Sequence, residues 1–119
     1  VARVVAFIPD LLFGSRVQAG LAAAGHEVEL VTGGAVLCER LANVDVLIVD
    51  LTDAELLGVG WVESLTADGL LKGVRTLGFY SHVEVEARRR AEDAGFDLVV
   101  PRSRMAREGA SLIAGLLAE

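Results

Sequence analysis

The sequence is poor in the residues that build sites by themselves. Cys38 is the only cysteine, which excludes a disulfide framework and a thiolate metal cluster and makes a reducing, cytoplasmic setting the default. Two histidines, His26 and His82, are too few for a histidine-rich metal site. Positive charge is scarce: 11 Lys and Arg against 17 Asp and Glu leave a net charge of −6. A general nucleic-acid binder needs a basic face to displace counterions, so that class is disfavoured. No apolar run approaches the roughly 18 residues of a membrane span. The opening apolar stretch meets Pro9 and Asp10 too soon to be a signal peptide. Repeats, linkers and low-complexity tracts are missing as well.

What is present is apolar and evenly spread. Hydrophobic residues make up 53% of the 119, and the mean hydropathy is +0.51. One domain over 1–119 can bury a core of that size without cross-links. The densest stretch is Asp45-Val46-Leu47-Ile48-Val49-Asp50-Leu51, an unbroken apolar run framed by two carboxylates. A strand this apolar must be covered on both faces, as in a parallel sheet with helices above and below.

The flanking segments alternate strand and helix. Arg3 to Ile8 reads as a first strand, stopped by Pro9 and followed by Asp10 as a helix cap. Helical spacing then runs from Leu11 to Ala24 through Leu12, Val17 and Leu21, with Gly25 as the stop. Gly14 and Gly20 in this helix let its backbone lie close to the sheet. His26 to Val31 alternates as an edge strand would, Gly33-Gly34 turns into a short helix over about Ala35 to Leu41, and Val44 to Val49 is the central strand. Thr52 and Glu55 form a capping box opening a helix to about Leu71, which Gly58, Gly60 and Gly69 make uneven, with a break near Thr66 as the alternative. Arg75 to Tyr80 is a fourth strand, and Ser81 with Glu84 repeats the box before a charged helix ending at Ala94-Gly95. Phe96 to Val100 is the fifth strand, closed by Pro101, and the last helix runs from about Arg104 to Ala118. Five such units predict a doubly wound, flavodoxin-like α/β domain with a parallel sheet in the order 2-1-3-4-5.

In that topology, chemistry gathers outside the carboxyl ends of the strands. There the sequence sets Asp10 after strand 1, Asp50 at the end of strand 3, Ser81 after strand 4 and Arg102 after strand 5. Acid, acid, hydroxyl and cation in these places resemble the receiver domain of two-component response regulators. The length and the Ala94-Gly95-Phe96-Asp97 approach to strand 5 fit the same family. The resemblance implies a role in signalling, with Asp50 as acceptor of a phosphoryl group and Asp10 and Asp50 as Mg²⁺ ligands. Ser81 and Arg102 would then bind the phosphoryl oxygens.

The chain departs from that pattern. Pro9 stands where receivers carry a second acid, Arg102 replaces a lysine and follows a proline instead of preceding it, and His82 takes a position usually small. Leu98 and Val99 stand where strand 5 carries an aromatic switch residue. Arginine is a planar fork and not a point charge, so the exchange changes the site. The reading is therefore a pseudo-receiver that acts through protein interaction, with a Mg²⁺-dependent phosphoacceptor as the alternative.

Plainer roles exist for each residue. Asp50 reads equally as the cap of the turn after strand 3, Ser81 and Asp10 as helix caps, and Arg102 with Arg104 as solvated arginines or an anion site at a helix start. Arg88-Arg89-Arg90 is surrounded by Glu84, Glu86, Glu92 and Asp93, which makes a solvated face with Glu84–Arg88 and Glu86–Arg90 pairs. Gly58-Val59-Gly60 lies within a helix and is no dinucleotide fingerprint, and Trp61 reads as a packing residue. The segment from Val4 to Thr32 also looks like the first βαβ unit of nucleotide-sugar glycosyltransferases, which keeps a small-ligand or nucleotide-binding module as a further alternative. No Ser, His and acid combination has the spacing of a nucleophile elbow, so an enzyme is not the leading expectation. Leu112, Ile113, Leu116 and Leu117, with Ala106, Gly109 and Ala110, make the last helix apolar on more than one face. That helix is thereby the candidate surface for a protein partner or a homodimer.

Overall fold

A computed structural model describes residues 1–52, 57–81 and 85–118. Glu55, His82 and Glu84, on which the two capping boxes and the departure at position 82 rest, lie outside that range. The elements follow in strict alternation: β1 (Arg3–Phe7), α1 (Leu11–Ala23), β2 (Glu27–Val31), α2 (Gly34–Glu39), β3 (Val46–Asp50), α3 (Leu57–Ala67), β4 (Arg75–Tyr80), α4 (Val85–Asp93), β5 (Leu98–Pro101) and α5 (Arg102–Leu117). Among the described residues the five strands form one parallel sheet in the order β2-β1-β3-β4-β5. This is the expected doubly wound, flavodoxin-like architecture.

The apolar run at the centre explains the layering. Successive side chains of a strand point to opposite faces, and Val46, Leu47, Ile48 and Val49 are all fully buried. Val46 and Ile48 join Phe13, Val17 and Leu21 of α1 and Met105, Leu112, Ile113 and Leu116 of α5 in one core. Leu47 and Val49 join Leu37 of α2, Val59, Val62 and Leu65 of α3 and Ala91 of α4 in the other. At the edge, β2 is only half-buried over Val28 to Leu30, as its alternation implied.

Three helices end by one device. At Gly25, Gly69 and Gly95 the backbone takes a positive φ of 94°, 74° and 99°. The residue after each glycine donates back to the helix: His26 N–H to Leu21 O, Leu70 N–H to Leu65 O and Phe96 N–H to Ala91 O. These are Schellman closures, in which glycine avoids the steric cost of a Cβ. They end α1 and α4 where the sequence suggested, and they stop α3 at Ala67, next to the break expected near Thr66 and short of Leu71.

Three other expectations change. Capping by Asp10 starts α1 in a phase that buries Phe13, Gly14, Val17 and Leu21, so Leu12 and Ala24 face solvent. A Cβ on Gly14 would lie 2.7 Å from Leu30 Cδ1, whereas one on Gly20 would meet nothing within 4 Å; only the first glycine serves a close approach. In α4, Arg88 pairs with Glu92, and Arg90 reaches Glu63 of α3 in place of the expected Glu86; the other expected pair, Glu84–Arg88, lies outside the described residues.

At the amino edge of the sheet, side chains take up backbone donors at the strand starts. Ala2 N–H donates to His26 Nδ1 at 3.1 Å, Arg3 N–H to Asp45 Oδ2 at 2.8 Å and Thr76 N–H to Asp97 Oδ2 at 2.8 Å. Paired in this way, the donors do not carry the penalty of unsatisfied groups. The polar residues of this edge are thus occupied with structure.

Candidate functional site at the carboxyl end of the sheet

Asp50 is the last residue of β3 and sits half-buried after four fully buried ones. Its Oδ1 accepts the Thr52 N–H at 2.8 Å and the Thr52 hydroxyl at 2.5 Å. This is an Asx-turn, which reverses the chain locally and fixes the carboxylate. The expected capping of the next helix by Thr52 with Glu55 falls on a helix start outside the described residues; what is described is Thr52 binding backward to Asp50.

Asp10 follows β1 across Ile8 and Pro9. Its Oδ1 accepts from Leu12 N–H and Phe13 N–H at 3.0 and 3.1 Å, the N-cap arrangement that satisfies two free amides of α1. Its Oδ2 lies 3.4 Å from Nη2 of Arg102, the first residue of α5. The Arg102 guanidinium in turn covers the Phe13 ring, 4.2 Å from its centroid, and Phe13 packs on Phe79 of β4 at 5.1 Å between ring centres. Arg102 therefore leans over the α1 and α5 side of the sheet. Both partners of the ion pair are nearly half exposed, so screening limits it to at most about 1 kcal/mol.

Ser81 is exposed, one residue beyond Tyr80, which pairs with Pro101. Ser81 and Arg102 thus follow neighbouring strand ends in register. The four residues singled out from the sequence share one end of the sheet, but they do not converge equally. Asp10 and Asp50 line a common cavity of about 440 Å³, and neither Ser81 nor Arg102 belongs to its wall.

The cavity opens between β1 and β3, where successive connections leave in opposite directions along the sheet. Phe7 and Pro9 supply one apolar side, Leu57 and Trp61 of α3 another, and Thr32 and Thr52 add hydroxyls. Trp61 lies directly on the first residue of α2: a Cβ on Gly34 would come within 2.0 Å of the indole Cζ2. Glycine at position 34 is what lets α2 and α3 approach. Gly33-Gly34 turns the chain into α2 and Trp61 packs, as the sequence implies; that Gly34 and Trp61 together wall a cavity has no signal in the sequence.

No family model matches the sequence, and no curated protein matches it. Solved structures do match. The chemotaxis protein CheY4 of Vibrio cholerae superposes with a TM-score of 0.85 at 19% identity, covering 98% of each chain. A Francisella response-regulator receiver domain gives 0.84 at 14% identity over 99% of this chain and 98% of its own. A response regulator from Thermotoga maritima gives 0.83 at 11% identity over 100% and 99%. The fold is the receiver fold. The likeness covers all ten elements end to end, and at these identities the fold is what is shared. Among the described residues, no helix is long and apolar enough to cross a membrane, and no group of three or more His, Cys, Asp and Glu is arranged to hold a metal ion.

Proposed function

We propose that this chain is a receiver-like signalling module that acts by protein interaction and does not depend on phosphorylation of Asp50. One observation carries the reading: Asp10, the residue in the place of a receiver's metal acid, has Oδ1 committed to the α1 cap and Oδ2 beside Arg102. Mg²⁺ asks for near-octahedral oxygen at roughly 2.0–2.1 Å and dehydrates reluctantly. Pro9 offers no side-chain oxygen, Asp10 is already neutralised by a guanidinium, and Asp50 shares its Oδ1 with Thr52. As arranged, these residues do not fit a resident Mg²⁺. Arg102 leans toward Phe13 and Asp10 and is not among the residues lining the cavity with Asp50, which also argues against its serving as a phosphoryl ligand.

The alternative, a Mg²⁺-dependent aspartyl-phosphate receiver, is favoured by the position of Asp50: half-buried, at the end of the central strand and facing the same cavity as Asp10. In that case Ser81 and Arg102 would turn toward the phosphoryl oxygens. A small phosphodonor with Mg²⁺, read by intact mass, separates the two. No adduct is expected; a single phosphoryl adduct that disappears in Asp50→Asn would overturn the reading.

The partner in this proposal is another protein, in a cytoplasmic setting, in preference to a second copy docked through α5. Met105, Leu112, Ile113 and Leu116 are spent on the domain's own core, which leaves Leu117 as the large apolar residue of that helix still substantially exposed. A nucleotide is disfavoured as a ligand because its phosphates would meet Asp10 and Asp50 at the cavity.

A further inference from the structure

The cavity between β1 and β3 has a chemistry of its own that the signalling role leaves unused. At about 440 Å³ it falls within the range of small-molecule sites, roughly 300–1,000 Å³. Its apolar walls, Phe7, Pro9, Leu57 and Trp61, suit a hydrocarbon or aromatic body and not a hydrated ion. Among the described residues its charged groups are two carboxylates, Asp10 and Asp50, and no Lys or Arg lines it. Arg102 balances Asp10 from the α5 side, so among the described residues the charge of Asp50 remains to be matched. Both described hydrogen bonds to Asp50 fall on Oδ1. Leu57, at the start of α3, is 60% exposed although it lines the cavity, so an occupant would cover apolar surface now facing water.

We propose that this cavity binds a small organic monocation, a protonated amine or amidine carried on an aromatic or branched aliphatic body. The cationic head pairs with Asp50 and takes the hydroxyls of Thr32 and Thr52 as acceptors; the body lies between Trp61, Phe7 and Leu57. Anionic ligands are rejected by the carboxylates, and neutral isosteres lose the charge-assisted bond. The inference holds whether or not Asp50 accepts a phosphoryl group, and the two tests fail separately: a phosphoryl adduct bears on the signalling reading alone.

Trp61 is the chain's one tryptophan, so its emission reports the cavity wall directly. Titration with 2-phenylethylamine is expected to change Trp61 emission saturably, with 2-phenylethanol weaker and phenylacetate inert. Asp50→Asn keeps the acceptor for Thr52 and removes the charge, and it should weaken the amine by about tenfold while leaving the alcohol unchanged. Leu57→Ser, at an exposed position with little risk to folding, should weaken the amine and the alcohol alike. Amine, alcohol and carboxylate binding equally, an amine affinity unchanged in Asp50→Asn, or no saturable response to the amine would each overturn the proposal.

Discussion

Asp10 does two things at once, and their energies differ. The N-cap supplies an acceptor to two amides that have no other partner in the helix, a contribution of about 1 kcal/mol. The contact with Arg102 is half exposed and screened. Asp10→Ala is therefore expected to lower stability in urea by about 1 kcal/mol, and Arg102→Ala by less, through the ion pair and its stacking on Phe13 together. Equal or reversed losses would mean that the guanidinium carries more of the fold than its exposure allows. The cap was legible in the sequence because it is local, two and three residues from its donors. The bond to Arg102 spans 92 positions, and nothing in periodicity says which way a long side chain leans once its helix is docked.

At the scale of elements, the sequence showed where helices are and was weaker on where they stop. Gly25 and Gly95 each precede a recognisable strand and so read as stops; Gly69 sits among Asp68, Leu70 and Leu71 in an apolar stretch and read as an irregularity in a longer helix. The positive φ at Gly69 is what distinguishes a terminus from a weak spot. Gly69→Ala is expected to destabilise by about 1 kcal/mol, since a Cβ is strained there. Gly20→Ala, within α1 and with open space around the new methyl, is expected to stabilise by roughly 0.5–1 kcal/mol. Thermal unfolding of the two variants should move the midpoint in opposite directions. In α5 the apolar surplus suggested a face for a partner, but three elements compete for those residues: Met105, Leu112, Ile113 and Leu116 pack against α1 and the sheet, while Ala106 and Ala110 remain outside. Composition along a helix does not say how much of its surface the neighbouring helix will claim.

For the whole molecule, the apolar run Val46–Val49 was enough to infer a covered parallel sheet, and the half-polar character of β2 was enough to put it at an edge. Strand order followed from those two facts and from the alternation of elements. The cavity did not, because it arises from Trp61 resting on Gly34, a contact between two helices whose spacing the sequence does not encode locally. With most of its large apolar residues absorbed into two cores and a net charge of −6, the domain is expected to sediment as a monomer across a range of concentrations. A concentration-dependent dimer that Leu117→Ser abolishes would restore α5 as an interface between copies.

The position of β1 also sets how the domain answers to tension. Because β1 is paired along its length with β2 on one side and β3 on the other, a pull at the amino terminus loads two hydrogen-bond ladders in shear. A pull at the carboxyl terminus meets only α5, which is held by side-chain packing against α1, β4 and β5. Stretched between its ends, the chain should shed the last helix at low force and keep the sheet, a two-step extension that a single-molecule trace would resolve. Arg102, at the hinge of that helix, would leave Asp10 in the first step, and a tethered domain would then carry its mechanical history in the charge it presents beside Asp50.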